Sequence, residues 1–274
     1  MTRPTIDTGS GTPLVLIPGV QGRWEWMRPA VEALSRRFRV LSFTLAGERT
    51  SAEPLDPHLG FDTFVAQTGR VLDAAAVREA IVCGVSYGGL IALRFAGRHP
   101  DRVRGLVLVS APPPDYRPDA AVEGYLRSPW LMAPLFLLRA TARGLREIRC
   151  ALPTWSARAG AVCRQARNVV LAPTAPDRMS SRVRLLRGVD FMESARRCRR
   201  IPTLVITGDP ELDGVVDVHG TLRYRDLLEN VTVRRIERTG HLGLVLRRNE
   251  FVEAIAEFVT ALERRRDVRS ERAG

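Results

Sequence analysis

The chain has 274 residues, 45% hydrophobic and 26% charged, a balance ordinary for a soluble globular domain that buries its core without disulfide or metal staples. All 42 basic residues behind the formal charge of +12 are arginine, scattered in pairs such as Arg36-Arg37, Arg199-Arg200 and Arg234-Arg235. That is not the clustered basic and aromatic pattern of a nucleic-acid binder, so no nucleic-acid partner is expected, although a basic surface can attract anionic substrates or membranes.

The missing lysine excludes a Schiff-base lysine and a P-loop lysine. The four cysteines, Cys83, Cys150, Cys163 and Cys198, show no Cys-x-x-Cys and no metal spacing with histidine, so no metal or other cofactor is expected. Cys83 reads as a buried structural thiol; the other three could pair, but a reduced, cytoplasmic protein is the expectation. The N-terminus has no apolar signal region. No apolar run approaches the roughly 18 residues of a membrane span, and the most apolar segment, Trp130 to Leu138, is short and interrupted by Pro134.

Taken in order, Leu14 to Pro18 is a continuous apolar run of strand length, the mark of a strand buried on both faces. The turn Gly19 to Gly22 follows. Met27, Val31, Leu34 and Phe38 then recur at helical spacing, and Arg39 to Leu45 is the next strand. Residues 46–60, with two prolines and two glycines, form a loop, and Phe61 to Ala76 a helix. Glu79 to Val85 reads as a strand and Leu90 to Arg98 as a helix. Between them stands Gly84-Val85-Ser86-Tyr87-Gly88-Gly89, a Gly-x-Ser-x-Gly string in the strand–turn–helix context of a nucleophile elbow. Only glycine fits where side chains crowd such a turn, and the following helix aims its free N–H groups at Ser86. Arg104 to Ser110 is another apolar strand, stopped by three prolines.

This alternation predicts crossover units and a mostly parallel sheet flanked by helices. The rhythm fails from residue 113 to 199, where helical stretches near 119–146, 156–171 and 180–198 replace strands. The segment is too long for a simple crossover and reads as a helical lid rather than packing helices alone. The alternation resumes with strand Thr203 to Thr207, a helix near 218–229, strand Thr232 to Ile236 and a last helix burying Phe251, Ile255, Phe258 and Leu262. The expected division is therefore a core in two parts, 1–112 and 200–264, a lid at 113–199 and a charged, frayed tail at 265–274.

A serine nucleophile needs a base, and the chain has four histidines. His99 ends the elbow helix, about 18 Å from Ser86. His58 and His219 have no supporting neighbours. His241, in Thr239-Gly240-His241-Leu242-Gly243 after the last strand, falls at the carboxyl edge of the sheet, the edge that carries the elbow and where open α/β sheets bind ligands. The partner carboxylate should come from Gly208 to Val216, where Asp209, Glu211 and Asp213 compete; Asp213 is favoured and Asp209 is the alternative. The order Ser86, Asp213, His241 is that of the α/β-hydrolase triad. Two N–H groups should hold the oxyanion, those of Tyr87 and Val20.

With these residues placed, the chain resembles the lidded α/β-hydrolases over nearly its whole length outside the lid and tail. The resemblance rests on Leu14-Val15-Leu16-Ile17-Pro18-Gly19, Gly84-Val85-Ser86-Tyr87-Gly88-Gly89, the Gly208–Val216 acid loop and Thr239-Gly240-His241-Leu242-Gly243. It implies hydrolysis of a small-molecule ester-like acyl bond through an acyl-enzyme, without a cofactor. Alternatives on the same fold are carbon–carbon hydrolysis, acyl transfer, perhydrolysis or non-catalytic binding of a small ligand. Ser86 disfavours members with an aspartate nucleophile. Two loops depart from the pattern: Pro18-Gly19 stands where His-Gly is usual, and Thr44 to Ser51 replaces an Asp-x-x-Gly-x-Gly-x-Ser loop. Trp130, Leu131, Phe136, Leu137, Tyr125 and Trp155 on the lid suggest either an apolar pocket or lid packing.

Overall fold

A computed structural model describes residues 5–271. Seven strands, β1 (Thr5–Thr8), β2 (Pro13–Ile17), β3 (Arg39–Phe43), β4 (Ala80–Val85), β5 (Val103–Val109), β6 (Thr203–Thr207) and β7 (Val231–Arg235), form one sheet in the order β1-β3-β2-β4-β5-β6-β7. β1 runs antiparallel to β3, and every other pairing is parallel. β1 has no counterpart in the sequence reading. Its Thr-Ile-Asp-Thr carries a single apolar residue, because an edge strand buries almost nothing.

The central strands are apolar at successive positions because both faces are covered. Val15, Ile17, Val82 and Leu108 point to one face, and Leu14, Leu16, Ile81, Cys83 and Val107 to the other. The first face packs on α2 (Asp62–Ala74) and α3 (Tyr87–Arg98), the second on α1 (Arg28–Leu34) and α12 (Arg248–Glu271). Each fully buried aliphatic side chain here contributes about 1.5–3 kcal/mol. All four thiols are free, and Cys83 and Cys198 are buried.

Between β5 and β6 lie α4 (Ala120–Arg127), α5 (Pro129–Ala151), α6 (Trp155–Leu171), α7 (Pro176–Arg184) and α8 (Phe191–Cys198). The expected helix near 119–146 is broken at Ser128, where Pro129 starts a new helix. The stretch near 180–198 is broken by Gly188 at φ +81°. α8 belongs to the core layer: a Cβ on Gly97 of α3 would lie 2.8 Å from the Ser194 carbonyl oxygen, and Phe191 stacks edge-on against Phe61. The helix expected near 218–229 is two short ones, α9 (Val218–Leu222) and α10 (Tyr224–Leu227). α11 (Gly243–Leu246) precedes α12, which runs helically to Glu271 rather than ending near residue 264. Positions 272–274 of the expected tail lie outside the described residues. Among the described residues no helix is long and apolar enough to cross a membrane.

Candidate active site

β4 delivers Ser86 to the carboxyl edge of the sheet, and α3 starts at the next residue. Ser86 sits at φ +54°, ψ −123°, a conformation that costs a non-glycine residue about 1–3 kcal/mol and persists only where its surroundings enforce it. The enforcement is steric. A Cβ on Gly84 would lie 2.2 Å from the Gly88 carbonyl oxygen, and one on Gly88 would lie 2.5 Å from the oxygens of both Ile17 and Pro18. The Ser86 N–H donates to the Val109 carbonyl of β5 at 2.8 Å, which fixes the turn against the next strand.

The Tyr87 N–H is in the first turn of α3, where backbone donors have no helical partner. The turn after β2 brings Gly19 beside Ser86; a Cβ there would stand 3.5 Å from Ser86 Cβ. Val20 follows, half-buried, on the wall of the cavity that also holds Ser86 and Tyr87. This turn is held from α7. Arg182 Nη1 donates to the carbonyls of Val20 (2.9 Å) and Gln21 (3.2 Å), and its Nη2 meets Glu48 Oε2 at 2.7 Å in a buried ion pair. The Tyr87 hydroxyl donates to the Arg182 carbonyl at 2.9 Å. Burial raises the Tyr87 phenol well above its ordinary range.

His241 lies in the loop after β7, with Nδ1 3.3 Å from both carboxylate oxygens of Asp213. Asp213 is buried, and its Oδ1 also accepts from the N–H groups of Val215 (3.1 Å) and Val216 (3.0 Å). Burial alone would raise this carboxyl. The His241 ring and the two amides outweigh it and hold Asp213 below the usual carboxylate range. The two loops touch closely because Gly240 has no side chain; a Cβ there would be 2.6 Å from the Asp213 nitrogen.

The structure does not bring Asp209 to His241. Its oxygens accept from Arg235 Nε at 2.7 Å and from the Arg238 N–H at 2.8 Å, which ties the end of β6 to the end of β7. His99 packs on Phe95, and His219 lies in α9, its N–H held by Asp217. Among the described residues no hydrogen bond joins Ser86 to His241, and His241 is off the wall of the cavity that Ser86 lines. Catalytic contacts are often long in unliganded enzymes and tighten with substrate bound.

The sequence reading passed over Glu147. Its Oε1 accepts from the N–H groups on either side of His241, those of Gly240 and Leu242, both at 2.7 Å. The carboxylate comes from α5 and is buried, and burial pushes it up to about 7, against the pull of the two amides and of His241 and with a push from Asp213. Its one sequence signal was being the only acid between Pro129 and Leu171, amid seven arginines. That looks the same as a solvated surface residue.

The cavity over Ser86 has a volume of about 290 Å³. Its floor is Val20, Ser86 and Tyr87. Gly214–Val216 form one side, and α4, α5 and α7 contribute Tyr125, Phe136 and Met179 to the rest.

Fold and edge geometry are those of an enzyme of the α/β-hydrolase class. Residues 12–247 match the family described as alpha/beta hydrolase fold, and the chain belongs to that family. It is 29% identical over 262 residues, 93% of this chain and 91% of the relative, to a 2-hydroxy-6-oxo-2,4-heptadienoate hydrolase of Pseudomonas putida. It is 38% identical to a 2-hydroxymuconate semialdehyde hydrolase of a Pseudomonas species, but over only 109 residues, 38% of each chain. Among solved structures, an esterase from Exiguobacterium antarcticum superposes with a TM-score of 0.75 at 19% identity, covering 93% of this chain and 94% of that one. An enol-lactonase from Burkholderia xenovorans gives 0.73 at 20% identity, covering 93% and 95%. At those identities the structural likeness shows the fold alone.

Proposed function

We propose that the chain is a serine hydrolase acting on a small acyl substrate, with Ser86 as nucleophile, His241 as base and Asp213 as the carboxylate that orients it. The observation that carries this reading is Ser86 at φ +54° on an elbow whose crowding leaves room only for glycine at positions 84 and 88, on the same sheet edge as a histidine bonded to a buried carboxylate. With Nδ1–H donated to Asp213, Nε2 of His241 is the basic nitrogen. It takes the Ser86 proton as Oγ bonds to the acyl carbon, and returns it to the leaving group as the old bond breaks. The oxyanion formed in between accepts from the Val20 and Tyr87 N–H groups; one such donor is worth about 3–4 kcal/mol in the transition state. Water, deprotonated by His241, then releases the acyl group and restores the Ser86 hydroxyl.

In this reading α4, α5 and α7 act as the lid, closing the cavity and excluding water from it, while α8, at the end of the expected 113–199 lid, packs with the core. The similarity to the heptadienoate hydrolase over nearly the whole chain favours a second substrate type, in which the leaving atom is carbon rather than oxygen. The steps assigned to Ser86, His241 and Asp213 stay the same.

The test is hydrolysis of p-nitrophenyl esters from acetate to decanoate by the native protein and Ser86→Ala, with fluorophosphonate labelling alongside. Turnover that falls by about 10⁴-fold or more in the variant, with the label on Ser86, supports the mechanism. Equal rates in the two proteins and no label on Ser86 would refute it.

A further inference from the structure

We infer that the cavity over Ser86 takes an acyl substrate carrying a second, anionic group, a carboxylate, held by Arg139 and Arg143 of α5. The inference rests on the hydrolase reading above and names its substrate class.

Arg139 and Arg143 are one helical turn apart, so they share a face of α5, and both line the cavity that holds Ser86. Both are also exposed, which places them at its mouth. Arg143 lies across the acid loop: a Cβ on Gly214, the residue after Asp213, would be 3.1 Å from its Nε. Neither guanidinium has a carboxylate within 4 Å among the described residues; Arg146 and Arg149 on the same helix are unpaired too, but only Arg139 and Arg143 line the cavity.

The lack of a partner is a matter of placement. Glu147 is the i+4 neighbour of Arg143, the usual position for a helical ion pair, but its oxygen is committed to the Gly240 and Leu242 N–H groups. Asp119, the one carboxylate on the cavity wall, caps α4 by accepting from the Val122 N–H at 2.8 Å. Two planar, permanently charged forks at the mouth of an otherwise largely apolar cavity match a carboxylate, which accepts paired N–H donors. A neutral acyl chain would leave them with water alone.

Binding and turnover test this separately. The Ser86→Ala protein is titrated by ligand-observed NMR with the monomethyl esters of straight-chain dicarboxylic acids, succinate to suberate, and with the matching neutral dimethyl esters. The best monoanion is expected to bind at least about tenfold more tightly than its diester, the effect of a charge-assisted hydrogen bond. The preference should weaken with salt, as expected for exposed charges. Adding Arg139→Ala and Arg143→Ala should bring the ratio toward one, and Glu at both positions should invert it. Because the readout is a ratio within one protein, a uniform loss of affinity cancels, while an unfolded variant, which binds neither ester, gives no ratio.

Equal binding of monoanion and diester by Ser86→Ala overturns the inference even if no arginine variant folds. So does a preference that survives both arginine substitutions. If Ser86→Ala discriminates but the native protein hydrolyses neither ester, the anion site stands and the hydrolase reading falls. If the native protein hydrolyses both and Ser86→Ala binds both alike, the hydrolase stands and the anion site falls.

Discussion

Glu147→Gln should make the folded chain more stable above pH 7 and leave it nearly unchanged near pH 4.5. The amide keeps an oxygen facing the Gly240 and Leu242 N–H groups, so the clamp on the His241 loop survives, but the buried charge is gone. In the native protein the carboxyl is carried from its ordinary 4.5 up to about 7, chiefly by burial, with the two amides and His241 opposing and Asp213 assisting. The folded chain therefore holds the Glu147 proton more tightly than the unfolded chain does. Between pH 4.5 and about 7 it binds more protons, so stability falls as pH rises through that window and levels off above it. At about 1.4 kcal/mol per tenfold change in proton affinity, the charged form costs about 3 kcal/mol at pH 8. Glu147→Gln removes that cost, which corresponds to roughly 6–12 °C in Tm. Urea denaturation of both proteins from pH 4.5 to 8.5 measures the difference. It should grow across the window and stay constant beyond it; a difference that is flat with pH refutes the reasoning. The variant also removes a negative charge beside the His241 loop, so kcat should fall about three- to tenfold while stability rises. Glu147→Ala is a different experiment. It strands two buried N–H groups, a cost of about 2–6 kcal/mol that shows in full near pH 4.5 and is partly offset above pH 7, where this variant also loses the buried charge.

Asp213→Asn should lower kcat by about 10⁴-fold with little loss of fold, since the amide favours the wrong His241 tautomer. Asp209→Asn loosens Arg235 and the Arg238 N–H and should change kcat by less than about threefold, so paired kinetics on the two variants decide which acid serves His241. Gly88→Ala drives a Cβ into the Ile17 and Pro18 carbonyls and should cost at least about 1–3 kcal/mol in a chemical melt, with loss of turnover.

What the sequence made legible follows from what each residue is used for. The elbow was readable because steric crowding leaves only glycine at Gly84 and Gly88, and the strands because burial on both faces writes a continuous apolar run. On the sequence Asp213 was favoured, but Asp209 stood as the alternative. Their roles separate only through the backbone path, which turns one carboxylate to Arg235 and the other to His241. Ser128 and Gly188 break helices between β5 and β6 where the sequence predicts continuous ones. Glu147 was out of reach for a simpler reason. It is 93 residues from Gly240 in the chain, and nothing local announces a contact made by folding α5 onto the sheet edge.

Helices α5 and α7 touch the carboxyl edge of the sheet through buried charge, at the His241 loop by Glu147 and at the Val20 turn by Arg182, and the second contact yields a test that separates stability from alignment. Arg182→Met leaves Glu48 buried, with Arg178, 3.5 Å away, as its charged partner and the Arg49 N–H as a donor; breaking such a pair costs about 3–5 kcal/mol. It also frees the Val20 and Gln21 carbonyls, so the Val20 N–H loses its aim. Adding Glu48→Gln removes the stranded charge. Replacing both members of a buried pair is often near neutral, so the double variant should recover most of the lost stability in a urea melt. It should not recover kcat, because nothing in it holds the Val20 turn. Recovery of both together would mean that Arg182 acts on turnover only through the fold. Recovery of neither would mean that the Val20 and Gln21 contacts, not the ion pair, dominate its contribution to stability.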